Sequence, residues 1–183
     1  MPIAGAVPRI GDLRAPDVIV VTTGQQPGLF TGPAYTIHKA LSARALAAQL
    51  EARWDRPVVP VFWLAGDDHD YAEANHAAWD AADGTLRRVR MPDRAPGAPL
   101  TPMYREPLPA EASDALAQLD RDLDGAEFRA DAIAWLSRHY RPGTTVAAAY
   151  GGALAALLAP LGIPCFDPCH IDARRLMAPL LSR

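Results

Sequence analysis

Apolar and polar positions alternate between short β-like runs and longer helical stretches. Val18 to Thr23 is a β-branched run closed by Gly24, the pattern of a buried strand. From Ala34 to about Arg53 the spacing becomes helical. Ala43, Leu46, Ala47, Leu50 and Trp54 recur three and four apart, while His38, Ser42 and Gln49 are polar. Pro33 suits a first helical turn, with Thr31 as a nearby cap. Arg56-Pro57 breaks this helix. Val58 to Leu64 is a second apolar run, too short for an independent helix and rich in β-formers. Pro60 counts against a central strand and predicts a place near the strand's start or at an irregularity. Strand, loop, helix and strand within about 45 residues make a βαβ unit.

The pattern changes after Asn75. His76 to Asp80 and Leu86 to Met91 flank Ala82-Asp83-Gly84-Thr85, which predicts a hairpin around Asp-Gly. Residues 92–109 hold six prolines and read as an extended connection. Glu111 to Leu123 and Ala126 to Tyr140 predict helices, as does Thr144 to Leu161 despite Gly151-Gly152 in its middle. Ile163 to Asp167 predicts a third strand and Ile171 to Leu181 a last helix, with residues 1–16 an irregular lead-in. The expected fold is α/β: a Rossmann-like three-layer core over 1–183 with a mostly parallel sheet. An inserted hairpin and helical segment from about 77 to 143 interrupts it. Three strands are few for such a sheet, and the last helix has one strand to pack on, so the chain reads as part of a larger domain or as one that needs a partner.

Composition narrows the class. Half of the 183 residues are hydrophobic, enough for a sizeable core. The net charge of −3 argues against nucleic acid or an anionic membrane surface as partner. No apolar run approaches the roughly 20 residues that span a bilayer, and the first residues lack a signal-peptide pattern. Cys165 and Cys169 are too few for a disulfide framework and read as structural thiols. A cytoplasmic setting is expected.

Two stretches carry candidate chemistry. Gly24, Gly28 and Gly32 fall every fourth residue between the first strand and the first helix. They match neither the dinucleotide fingerprint nor the phosphate loop. A strand that enters a glycine-rich loop and then a helix still aims backbone N–H groups toward an anion. Gln25 and Gln26 could add amide donors, and Lys39 a charge if it faces back toward the loop. The plain alternative is a tight strand-to-helix connection. The second stretch, Gly66-Asp67-Asp68-His69-Asp70, follows the second strand and should share that sheet edge. Three readings stay open: a metal site with Asp68, His69 or Asp70 joined by His76; acid–base chemistry with a carboxylate orienting His69; and a solvated helix start capped by Asp67 or Asp68. Asp167-Pro168 could line the same cleft or cap the next helix. His139 and His170 have no evident partners, and Phe62 and Trp63 read as core.

At these loops the sequence resembles the bacillithiol biosynthesis cysteine-adding enzyme family, BshC. The resemblance rests on Thr23-Gly24-Gln25-Gln26-Pro27-Gly28-Leu29, on Thr31-Gly32-Pro33 with Tyr35-Thr36-Ile37-His38-Lys39, and on Pro57 to Trp63 running into Asp68-His69-Asp70 and Asn75-His76. It extends more loosely through Gly162 to Pro168 and the following helix. It implies a Rossmann-like core and a ligase that makes a carbon–nitrogen bond, joining the cysteine carboxyl to the amine of glucosaminyl-malate in the synthesis of a low-molecular-weight thiol. For that reaction the residues themselves offer His69, oriented by Asp68 or Asp70, as the base. Substrate or anion contacts fall to Gly24, Gln25, Gln26, Gly28, Thr31, Gly32, Tyr35, His38, Lys39 and His76. No metal is implied. The cofactor stays open, ATP or another nucleotide being one source of the activation an amide bond requires. Family members are longer at both ends and pair as homodimers through a coiled coil that these 183 residues lack. The other reading is a non-catalytic module that binds a nucleotide or hydroxy-acid.

Overall fold

The computed structural model describes residues 10–181. The predicted lead-in before Ile10, and the last two residues of the chain, lie outside the described residues. Ile10–Arg14 is a short 3-10 turn. The chain forms two compact units. The first takes in the described residues up to Gln26, then Ala34–Gly66 and those from Leu154 onward; the second is Pro27–Pro33 with Asp67–Ala153.

In the first unit β1 (Ile19–Gln25), β2 (Val58–Leu64) and β5 (Cys165–Phe166) form a parallel sheet in the order β1-β2-β5. The third predicted strand is thus only two residues long. β2 is central, contrary to the expectation from Pro60. The Phe62 N–H donates to Pro164 O at 2.9 Å, so alternate positions of β2, Pro60 included, turn toward β5. Pro60 lies before the point where β5 begins, so its missing N–H leaves no ladder bond broken.

Helix α1 (Tyr35–Trp54) crosses between β1 and β2. Its buried face is Thr36, Ala40, Ala43 and Ala47, one helical stripe of small side chains. Ala43 and Ala47 match the predicted stripe, but Leu46 and Trp54 are exposed. Ala34 rather than Thr31 stands at the N-cap, and it supplies no side-chain bond. The Thr31 hydroxyl turns instead to Phe30 O at 2.5 Å. Asp55 ends the helix in the left-handed region, its N–H on Glu51 O, and Pro57 follows soon after. Gly24 is required by strand pairing, because a Cβ there would stand 2.7 Å from Trp63 O. The helix α6 (Ile171–Leu181) closes the described chain.

The second unit is built on α2 (Tyr71–Ala74), the hairpin β3 (His76–Asp80) and β4 (Leu86–Arg90), α3 (Glu111–Asp122) and α4 (Arg129–His139). The division between units falls inside α5 (Val146–Leu158). The hairpin pairs His76 with Arg90 and Asp80 with Leu86. Its turn has Gly84 at φ +77°, and the Asp83 carboxylate accepts from the Thr85 N–H and hydroxyl. The core gathers Leu29, Tyr71, Met91, Met103, Leu108, Leu119, Leu136 and Tyr140. Gly152 in α5 faces His139, whose Nδ1 would lie 2.7 Å from an added Cβ. That close approach accounts for a glycine in mid-helix.

Candidate functional site

The sheet brings the two loops out at neighbouring strand ends. Gln25 closes β1 and pairs in register with Leu64, which closes β2. The Ala65 N–H donates to Gln25 O at 3.2 Å, so pairing continues past the strands. This is the carboxyl edge of a parallel sheet, where ligands of α/β proteins bind.

In the first unit that edge carries a small polar group. Lys39 sits one turn into α1, so its side chain reaches back toward the helix N-terminus. Its Nζ donates to Gln25 Oε1 at 2.8 Å and approaches Gly24 O at 3.4 Å. The Gln25 amide donates in turn to the Tyr35 hydroxyl at 3.1 Å, and Nζ lies 5.2 Å from the Tyr35 ring centroid. Lys39 thus faces the end of β1. No carboxylate of the described residues pairs with it, and its partners are neutral acceptors. His38 and Lys39 are both exposed, and with Tyr35, Ser42 and Thr23 they border an open groove of about 390 Å³ along α1 and β1. Gln26 ends the first segment of this unit.

Gly28, Thr31 and Gly32 belong to the second unit, where their backbone is committed internally. The Thr31 N–H donates to the buried Tyr140 hydroxyl at 2.7 Å, and that hydroxyl donates to Gly28 O at 3.0 Å. The Gly32 N–H donates to Leu29 O at 3.0 Å. Two of the loop's donors are therefore occupied. The glycine spacing has a local cause: a Cβ on Gly28 would lie 2.8 Å from Gly32 Cα, and Gly32 itself has φ +72° and ψ −164°. Phe30 and Thr31 also have positive φ, 52° and 76°, where side chains are strained. Burial holds the Tyr140 proton well above the usual tyrosine range, so its hydroxyl stays a donor.

The acidic loop lies in the same unit. Asp68 Oδ1 accepts from the Asp70 N–H at 2.8 Å, and Asp70 Oδ1 caps α2 by accepting from the Glu73 N–H at 3.3 Å. The cap is thus Asp70, not Asp67 or Asp68. His69 is exposed, and no hydrogen bond joins its ring to either carboxylate. His76 opens β3 with its Nδ1 buried and unpartnered. No three His, Cys, Asp or Glu side chains gather as a metal-ligating group among the described residues. Elsewhere, burial pushes the Cys165 thiol up to about 12, which suits an inert core thiol. Asp167 Oδ1 closes a turn onto the Cys169 N–H at 2.9 Å, ahead of α6.

Sequence reasoning passed over three residues that organise these loops: Tyr140, Arg94 and Glu106. Tyr140 ends a predicted helix, and its partners Gly28 and Thr31 lie 112 and 109 residues away, where no local pattern points to them. Arg94 and Glu106 sit in the proline-rich segment, where no periodicity points to a partner.

None of the described helices is long and apolar enough to cross a membrane. The family model described as bacillithiol biosynthesis BshC, N-terminal Rossmann-like domain, matches residues 4–183. A protein of Solibacter usitatus named "Putative cysteine ligase BshC" is 36% identical over 174 residues, covering 95% of this chain and 32% of that protein. One of the same name from Salinibacter ruber is 35% identical over 176 residues, covering 95% and 31%. A Geobacillus protein of that name reaches 49% identity over 84 residues, 46% of this chain and 15% of its own length. The chain thus spans about a third of the first two relatives. With a parallel α/β sheet and a family match over nearly its whole length, this chain belongs to the BshC N-terminal Rossmann-like domain family of bacillithiol biosynthesis.

Proposed function

We propose that the chain supplies substrate-handling residues of a cysteine ligase, which joins the cysteine carboxyl to the amine of glucosaminyl-malate. The observation that carries this reading is Lys39, a cation held by Gln25 and Gly24 through neutral acceptors at the sheet's carboxyl edge. Such a charge is available to a substrate carboxylate, and malate brings two. The Tyr35 ring and Gln25 amide restrict its rotamers, which lowers the entropy cost of binding.

Amide formation then needs an activated cysteine carboxyl, carrying phosphate or adenylate as leaving group, with ATP or another nucleotide as its source. The amine lone pair attacks the acyl carbon, the leaving group departs with its electron pair, and a base removes the ammonium proton. His69 fits that base: it is exposed, and its ring nitrogens make no hydrogen bond with the described residues. Asp68 and Asp70 hold the backbone beneath it. Homodimerisation through a coiled coil is proposed for the longer protein on the family resemblance.

Calorimetry of the chain with glucosaminyl-malate tests the Lys39 role. Lys39→Met should weaken binding by about tenfold, the scale of one charge-assisted contact. Equal affinity in the variant would remove Lys39 from the site.

A further inference from the structure

The proline-rich segment of the second unit contains a half-hidden ion pair that reaches the acidic loop. Arg94 and Glu106 have side chains only 16% and 17% exposed. Arg94 Nε and Nη2 both donate to Glu106 Oε2, at 2.9 and 2.6 Å. Nη2 also donates to Thr101 O, which ties the segment to itself. The remaining arm, Nη1, donates to His69 O at 2.8 Å. The same carbonyl accepts from the Tyr71 N–H at 2.8 Å, and the Tyr71 ring lies 5.1 Å beneath the guanidinium. Next to it, Asp68 O accepts from the Met103 N–H at 2.8 Å. The main chain on both sides of the His69 α-carbon is therefore pinned by one segment, 94–106.

We propose that Arg94 is a positioning residue: it fixes the backbone at His69 and so the direction in which the imidazole is presented. This deepens the ligase reading and rests on it for the role of His69. The planar fork matters more than the charge. A guanidinium can serve Glu106, Thr101 and His69 at once, whereas an ammonium on a flexible stem cannot hold the three directions together. Glu106 sets the fork's orientation, and the Tyr71 face prevents its rotation.

Hydrogen exchange on the full chain, comparing Arg94→Lys with wild type, tests the positioning directly. The amides of Tyr71 and Met103 should exchange at least about tenfold faster, while those of Leu123 and Tyr140, in helix ends of the same unit, stay within about twofold. Glu106→Gln, which keeps shape and an acceptor, should show the same local pattern in milder form and serves if the lysine variant fails to fold. Unchanged exchange at Tyr71 and Met103, or an equal rise at all four amides, would overturn the proposal. Where the chain is joined to the remainder of a relative and turns over, Arg94→Lys should lower kcat by about 10- to 100-fold with KM for glucosaminyl-malate nearly constant. A chimaera with no wild-type turnover would count against the ligase reading, while the exchange result still decides the role of Arg94.

Discussion

The Tyr140 hydroxyl receives the Thr31 N–H at 2.7 Å across 109 residues of sequence. Its proton goes to Gly28 O at 3.0 Å, and its ring meets Phe30 edge-on with centroids 5.3 Å apart. One buried side chain thus holds both ends of a loop that contains two non-glycine residues at positive φ. Each such residue costs about 1–3 kcal/mol and persists only where its surroundings over-determine it.

Tyr140→Phe keeps the ring contact and deletes the clamp. It leaves a buried donor and a buried acceptor without partners, so unfolding free energy should fall by about 1–3 kcal/mol. A shifted denaturant midpoint at constant slope would show this. A variant as stable as wild type would mean that the loop holds its shape unaided.

Gly24→Ala addresses the seam between β1 and β2. The new methyl would meet Trp63 O at 2.7 Å and Trp63 Cβ at 2.9 Å, and the backbone atom cannot swing aside. The expected loss is about 1–3 kcal/mol, typical of overpacking. Gly11→Ala, with nothing within 4 Å of its added Cβ, is the control and should be nearly neutral. Equal thermal midpoints for the two variants would contradict the proposed close approach.

Much of the fold was legible because local chemistry and tertiary structure agree. The 34–53 periodicity became α1, Asp83-Gly84 became the hairpin turn, and the helices near 111, 129, 146 and 171 all formed. The failures have specific causes. Pro60 argued against a central strand because the sequence does not show that β5 starts beyond it. Leu46 and Trp54 entered the predicted stripe by size, whereas close packing selected Thr36 and the small Ala40 instead. At the candidate site, Lys39 was legible as a charge one turn into a helix after a strand. That the Thr31 and Gly32 amides are already occupied was not legible, because their partners, Tyr140 and Leu29, follow from packing and not from pattern.

His139 gives a pH signature. Burial first, then the nearby Arg138 and Arg141, lowers its pKa below the ordinary histidine value. The folded state therefore prefers the neutral ring, and between the two pKa values the unfolded chain binds more protons. Its contribution is fully present above about pH 6.5 and is lost as pH falls toward the folded value. His139→Asn should flatten the decline in stability on acidification, measured by urea unfolding at a series of pH values. Parallel pH curves for the two proteins would contradict this.

The central claim is that this chain presents a catalytic base to an amide-forming reaction. The most direct measurement is turnover of a chimaera in which it replaces the matching segment of the Solibacter usitatus relative. Cysteine, glucosaminyl-malate and a nucleotide are supplied, and the amide product is detected by mass. The account predicts product from the parent chimaera. With His69→Ala it predicts kcat lower by about 10²- to 10⁴-fold and KM little changed, the range for loss of a general base. Full turnover in the His69→Ala chimaera would contradict it.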